Sequence, residues 1–140
     1  MLSDGLTEAM RQVGAHVGGV FLLVQGDRVL RLAVMKGLPR EFVRAYERTP
    51  IRAPSPVSDA LRTGSLVWVG PGEMVHRYPR VALSTPYRHA LAALPLATAS
   101  ATYGSMFLLW PGSRSDQPSH RDFANAAAFS VVGELQARLP

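Results

Sequence analysis

Two strand-like runs joined by a tight turn constrain the fold of this chain more than any other feature of its sequence. Gly18–Val24 is apolar at nearly every position, whereas Val29–Met35 is interrupted by Arg31. The residues between the runs include Gly26-Asp27, and glycine supplies the backbone freedom that a tight hairpin turn demands. The pattern predicts a β-hairpin whose first strand is covered on both faces.

A second hairpin is predicted between His89–Leu96 and Tyr103–Trp110, because a stretch of small and polar residues separates these two runs. Leu66–Val69 is predicted to add one short strand. Pro95 has no N–H to donate to a neighbouring strand, so we expect it at a bulge or on an unpaired side of its strand.

Helical patterns lie at both ends of the chain. Apolar residues recur at spacings of three and four over residues 2–14, and at four-residue steps within residues 119–139. Pro39 is predicted to open a helix over about 40–48, and Ser55 to cap a short helix that ends at Gly64. Residues 70–88 are rich in proline, glycine and tyrosine, which predicts an irregular segment with one or two helical turns. The elements together predict an α+β fold, with a mostly antiparallel sheet between the terminal helices and this irregular segment.

Length and hydropathy predict one domain without a membrane span. The chain has 140 residues, which suffices for one hydrophobic core, and no repeat or linker divides it. Its longest apolar stretch, Val17–Val24, is less than half of the roughly 20 residues that a membrane helix needs. No basic-then-apolar leader opens the sequence. We therefore expect a single domain over residues 1–140 that is soluble and cytoplasmic and has no membrane partner.

The net charge of +5 raises nucleic acid as a possible partner, because basic side chains neutralise phosphates. The arginines are scattered along the chain, and the densest group is interleaved with glutamates on the predicted helix over 40–48 and its exit. This group is Arg40, Arg44, Arg48 and Arg52. A nucleic-acid-binding surface would need a clustered basic stripe with a known reading motif. We expect a solvated arginine-rich surface and no nucleic-acid partner.

The sequence lacks the residues that several catalytic and metal-binding chemistries require. It contains no cysteine, which excludes disulfides, thiolate zinc sites, a cysteine nucleophile and a thioether-linked chromophore. The four histidines, His16, His76, His89 and His120, do not have the spacing of a metal site. No nucleophile elbow or phosphate-binding loop is present. We therefore expect no catalytic residues, no metal and no enzymatic activity.

Five segments, taken in chain order, resemble the GAF domain family. They are Gly37-Leu38-Pro39, Ala60–Gly64 followed by Leu66–Val69, Tyr87–Leu91 with Leu94-Pro95-Leu96, Tyr103–Leu108, and the closing helix over 119–139. The resemblance covers almost the whole chain. It implies a GAF-like (PAS-like) central antiparallel sheet of five to six strands, with the N- and C-terminal helices on one face and an irregular helical excursion over the other.

The same resemblance implies a function. It suggests a non-catalytic sensory or regulatory domain of a bacterial signalling protein, which binds a small molecule or a partner and modulates an output domain in signal transduction. The Asn-Lys-Phe-Asp-Glu signature of cyclic-nucleotide-binding members has no counterpart here. The absence of cysteine also makes the bilin-attaching and methionine-sulfoxide-reducing members poor models. The alternative is a protein–protein interaction or dimerisation module with a filled pocket and no ligand.

Candidate ligand-binding residues lie around the segment that covers the pocket in GAF relatives. They are Trp68, Met74, His76, Tyr78, Tyr87, Arg88, His89 and Met106. An arginine in this set favours an anionic ligand. The other interpretation is that these aromatic side chains simply fill the space under the loop. His89 could ligate a haem iron, as a histidine does in a few relatives, but a half-buried, hydrogen-bonded histidine is the simpler explanation. No cofactor is therefore expected.

Small residues in the last helix suggest a partner copy. Ala124, Ala126, Ala127 and Ala128 permit close helix approach. The first and last helices together resemble the dimer-forming helices of the GAF family, so a homodimer is expected, since a leftover apolar face would otherwise be exposed. Packing of these helices on the domain's own sheet is the alternative.

Overall fold

The fold is given by a computed structural model. It describes residues 2–24, 26, 28–38, 44, 47–70, 72–79, 89–111, 128, 131–133, 135 and 136.

Among the described residues, six strands form one antiparallel sheet. They are β1 (Val17–Leu23), β2 (Val29–Lys36), β3 (Arg48–Pro50), β4 (Val67–Val69), β5 (His89–Ala97) and β6 (Thr102–Pro111). Their order across the sheet is β3-β2-β1-β6-β5-β4. Both predicted hairpins are present, as β1–β2 and β5–β6, and the strands β1 and β6 pair with each other in the centre of the sheet.

Three helices are described in full: α1 (Leu2–Val13), α2 (Pro56–Thr63) and α3 (Met74–Arg77). The described residues between 128 and 136 are also helical, in agreement with the predicted closing helix, whose remaining residues lie outside the described part of the chain. Within the ranges given above, no helix is both long and apolar enough to cross a membrane.

The sheet separates two hydrophobic cores. On one face, α1 and the C-terminal helical residues pack against side chains such as Leu94 and Leu108. On the other face, α2 and α3 pack against side chains such as Leu91 and Phe107. Because successive side chains of a strand point to opposite faces, β5 and β6 contribute to both cores, and they are therefore apolar at nearly every position. The predicted α+β arrangement, with the terminal helices on one face and the helical excursion on the other, is confirmed.

Local sequence signals explain where helix α2 begins and ends. The Ser55 side chain accepts a hydrogen bond from the Ser58 backbone N–H at 3.2 Å, Pro56 occupies the first turn, and Gly64 ends the helix with φ of 66°. The Ser58 hydroxyl in turn donates to the Pro50 carbonyl at 2.8 Å, which ties α2 to the end of β3.

One strand was missed by the sequence prediction. Arg48 was placed at the end of a helix over about 40–48, but it is the first residue of β3 and pairs with Arg31 of β2. Thr49 pairs with Leu30, and both are buried, so burial against β2 outweighs any local helical preference. Most of that predicted helix lies outside the described residues.

Pro95 is placed as expected. It lies two residues beyond Ala93, the last residue of β5 that pairs with β4, so its missing N–H does not interrupt that ladder. A glycine in β1 has a packing role: a Cβ on Gly19 would lie 2.5 Å from the Phe107 ring, so only glycine allows the ring to lie against the strand.

Candidate functional site

The face of the sheet beneath α2 and α3 is the part of the fold that the sequence analysis assigned to a ligand. Phe21 and Phe107 lie at its centre, with ring centroids 6.1 Å apart. Met74 and Tyr78, from α3 and the residue after it, cover this core and are 7% and 4% exposed. In this state Met74 and Tyr78 themselves occupy space above the sheet.

A polar contact joins the two helices that cover this face. The Tyr78 hydroxyl donates a hydrogen bond to the Asp59 carboxylate of α2 at 2.5 Å. Asp59 also forms an ion pair with Arg62, one turn along α2. Arg62 in turn donates to the backbone carbonyls of Ile51 and Ala53, at 2.5 and 3.2 Å. The loop after β3, helix α2 and Tyr78 are therefore held in one arrangement.

Arg77 connects α3 to the sheet itself. Its guanidinium donates to the Trp68 carbonyl of β4 at 2.8 Å and to the Glu73 carboxylate at 3.3 Å. It also lies 5.5 Å from the centroid of the Tyr78 ring. We call the set Asp59, Arg62, Arg77 and Tyr78 the α2–α3 latch.

The buried position of Tyr78 affects its protonation. Burial, together with the hydrogen bond to the Asp59 carboxylate, raises the pKa of Tyr78 from 10.0 to about 12. Both effects disfavour the tyrosinate, because it would lose hydration and face a negative charge. The hydroxyl is therefore protonated at neutral pH and acts as the donor of the latch.

The latch is connected through β4 to the opposite face of the sheet. The Trp68 side chain points into the core beneath α1, where it packs against Trp110 with centroids 5.4 Å apart. The Trp110 indole N–H donates to the Val13 carbonyl at 2.9 Å. Val13 is the last residue of α1. A continuous path of contacts, from Arg77 through Trp68 and Trp110 to Val13, thus crosses the sheet; we call it the tryptophan path.

The predicted ligand-binding residues do not form one group. Met74 and Tyr78 lie in the core between the sheet and the helices α2 and α3, but Trp68 and Met106 lie in the core on the other face. Strand alternation explains this separation: Val69, next to Trp68, and Phe107, next to Met106, are the residues that face α2 and α3.

The remaining predicted site residues are His76, Tyr87, Arg88 and His89. His76 is exposed on α3. Tyr87 and Arg88 lie outside the described residues, as does the side chain of His89, whose backbone begins β5. Of the four small residues predicted to support a dimer, Ala128 is described, and it is buried in the domain's own core at 8% exposed.

Sequence reasoning missed most of the latch. Asp59 and Arg62 are three residues apart on α2, a spacing that indicates an ion pair on the helix surface, but not that this pair also contacts Tyr78. Nothing in the sequence pairs Asp59 with Tyr78, which are 19 residues apart. Across the described ranges, no three His, Asp or Glu side chains converge in a way that could hold a metal ion.

Comparisons with known proteins agree with this architecture. No protein-family model matches the sequence, and no curated protein matches it. Among solved structures, the second GAF domain of DevS from Mycobacterium smegmatis superposes with a TM-score of 0.68 at 19% identity, covering 98% of this chain and 95% of that one. The GAF domain of an Acinetobacter phosphoenolpyruvate-protein phosphotransferase gives a TM-score of 0.70 at 14% identity, over 99% and 86% of the two chains. The chain has a GAF-like fold. The resemblance inferred from its sequence motifs is confirmed.

The same comparisons correct one prediction about this GAF-like chain. Free methionine-R-sulfoxide reductase from Neisseria meningitidis, solved in complex with its substrate, superposes with a TM-score of 0.75 at 18% identity, over 97% of this chain and 76% of that one. The prediction that the chain is not an enzyme is therefore wrong. It was drawn from missing motifs, and a protein of closely similar fold is a catalyst. Missing motifs exclude particular chemistries only. Since the chain contains no cysteine, any catalysis by it would not use a thiol.

Proposed function

We propose that this GAF-like domain is a sensory or regulatory module that binds a small molecule beneath the α2–α3 latch and modulates an output domain through α1. The observation that carries the proposal is the tryptophan path, because it links the covered face of the sheet to a terminal helix by packed rings and two hydrogen bonds of 2.8 and 2.9 Å. A regulatory domain needs such a link between its ligand and the helix that leads out of it.

Binding beneath the latch requires Met74 and Tyr78 to move. Both side chains are nearly fully buried, so a ligand at this position would take their place against the sheet. Such a movement would pull on Arg77, which is adjacent to Tyr78 and bonded to Trp68. A ligand shifts an equilibrium between two arrangements only by the difference between its affinities for them. Here the two arrangements are the closed latch and an open one.

The fold comparisons support a small-molecule site without identifying its ligand. A reductase of similar fold was solved with its substrate bound, so this architecture accommodates small molecules. The burial of Met74 and Tyr78 supports the alternative function, an interaction or dimerisation module with a filled pocket. A homodimer formed through the terminal helices stays a prediction under both functions.

The first test compares the mass of the natively purified chain with that of the denatured chain. We expect a stoichiometric excess mass, and we expect the released compound to raise the melting temperature of the stripped protein by mass action. The chain has only two tryptophans, both on the tryptophan path, so the same compound should change the intrinsic tryptophan emission.

Variants separate binding from transmission in this test. Arg77→Ala should keep the excess mass but lose the change in emission, whereas His76→Ala, an exposed neighbour on α3, should keep both. A bare mass and no melting shift across a library of metabolites would favour the filled-pocket module. An assay for reduction of free methionine-R-sulfoxide on the same sample tests the enzymatic activity found in proteins of this fold.

A further inference from the structure

The pairing of β2 with β3 brings exposed arginines together at one edge of the sheet. Arg31 and Arg48 are cross-strand partners. Arg28 and Arg52 lie beyond them: the Ile51 N–H donates to the Arg28 carbonyl at 2.9 Å, and Arg52 follows Ile51 directly in the chain. All four side chains are exposed. We call this set the basic edge; in the sequence it falls in two separate groups, and the missed strand β3 is what unites them.

Each pair of these arginines borders a concavity. Arg31 and Arg48 line one of about 570 Å³, together with Glu47 and aliphatic side chains that include Leu32 and Met35. Arg28 and Arg52 line a second of about 470 Å³ with Pro50 and Ile51. Both concavities therefore combine guanidinium groups with apolar walls.

The arrangement favours an anionic partner. Arg31 and Arg48 are cross-strand partners, so their side chains lie on the same face of the β2–β3 pair. A carboxylate beside them would accept charge-assisted hydrogen bonds. The apolar walls would receive the neighbouring aliphatic side chains of the same partner.

We infer that the basic edge binds an acidic protein segment in which carboxylate and aliphatic side chains alternate. Nucleic acid fits less well, because Glu47, which lines the first concavity, would repel a continuous phosphate backbone more than it would repel separated carboxylates. The described residues that line the two concavities also include no aromatic side chain on which a base could stack.

Recognition at this edge depends on side chains rather than on strand addition. Pro50 of β3 has no N–H to offer an added strand, and its carbonyl already accepts a hydrogen bond from Ser58 at 2.8 Å. The inference is independent of the latch and of any ligand beneath it.

The test measures binding of a short fluorescent peptide with alternating glutamate and leucine to the full chain by anisotropy. The matched control peptide has glutamine in place of glutamate. We expect the acidic peptide alone to bind, and Arg48→Gln to weaken its binding roughly two- to fivefold, as the loss of one exposed ion pair would. Glu47→Gln should strengthen it, because it removes a negative charge from the residues that line the first concavity.

Arg11→Gln is the control for charge, since Arg11 is equally cationic and exposed but lies on α1. Equal weakening by Arg48→Gln and Arg11→Gln would overturn the proposal, as would weaker binding to Glu47→Gln. Failure of the acidic peptide to bind the wild-type chain would also overturn it. Binding of a single-stranded oligonucleotide or of phosphatidylserine vesicles that depends on Arg48, without peptide binding, would replace the acidic segment with a phosphate-bearing partner.

Discussion

At the scale of single residues, Tyr78 concentrates several functions in one side chain. Its ring closes the core beneath α3, its hydroxyl reaches Asp59, and Arg77 lies near its ring. The ring could be predicted as part of a covering segment from the sequence, because aromatic residues are dense there. The partner of its hydroxyl could not, because that contact depends on how α2 and α3 meet over the sheet.

Tyr78 should make the stability of the protein depend on alkaline pH. Its pKa is about 12 in the folded state against 10.0 as the ordinary value, so between these two pH values the unfolded chain loses the proton while the folded chain keeps it. The free energy of unfolding should therefore fall over this window, by about 2 kcal/mol more in wild type than in Tyr78→Phe. Denaturant unfolding of both proteins at a series of pH values measures the difference, and parallel losses would contradict the assignment.

At the scale of elements, α2 could be predicted from the sequence, whereas β3 could not. The signals for α2 are local: a serine cap, a proline in the first turn and a glycine at the end all lie within ten residues. The three residues of β3 carry no such signal, and their conformation follows from pairing with β2. The two hairpins were predictable because each pairs neighbouring segments, whereas the pairing of β1 with β6 needed the whole fold.

Removing the cap of α2 should have a measurable cost. Ser55→Ala leaves the Ser58 N–H without its side-chain acceptor, so we expect the free energy of unfolding to fall by about 0.5–2 kcal/mol. The control is Thr63→Ala at the other end of α2, where the hydroxyl is exposed and donates to the Asp59 carbonyl. That change should stay within about 0.5 kcal/mol of wild type. Equal costs for the two variants would argue against a capping role.

At the scale of the whole molecule, the sheet acts as the connection between its two faces. The latch holds one face, α1 packs on the other, and β4 carries Trp68 between them with its carbonyl bonded to Arg77 and its ring against Trp110. The sequence analysis placed Trp68 on the ligand side because it considered the residue without its strand register. The strand register instead places the Trp68 ring on the α1 side of the sheet, while its carbonyl accepts the hydrogen bond from Arg77.

Breaking this link should loosen α1 from a distance. Arg77→Ala removes the hydrogen bond to the Trp68 carbonyl, and we expect amide hydrogen exchange in α1 to accelerate roughly two- to tenfold, as loss of about one hydrogen bond would allow. His76→Ala should leave exchange in α1 unchanged. Exchange in β2, whose strand partners are β1 and β3, reports whether the whole protein has been destabilised. Acceleration in β2 equal to that in α1 would contradict a specific connection.

The strand order also determines when the protein can fold. The central strand β1 pairs on one side with β2, which follows it directly, and on the other with β6, whose residues 104–109 pair with residues 17–22. Until β6 has been synthesised, one edge of β1 and the apolar side chains around it lack their partner. Pairing between segments so distant in sequence slows folding and prolongs the lifetime of aggregation-prone intermediates. During synthesis of this protein, the first hairpin therefore stays without its neighbour in the sheet until β6 has left the ribosome.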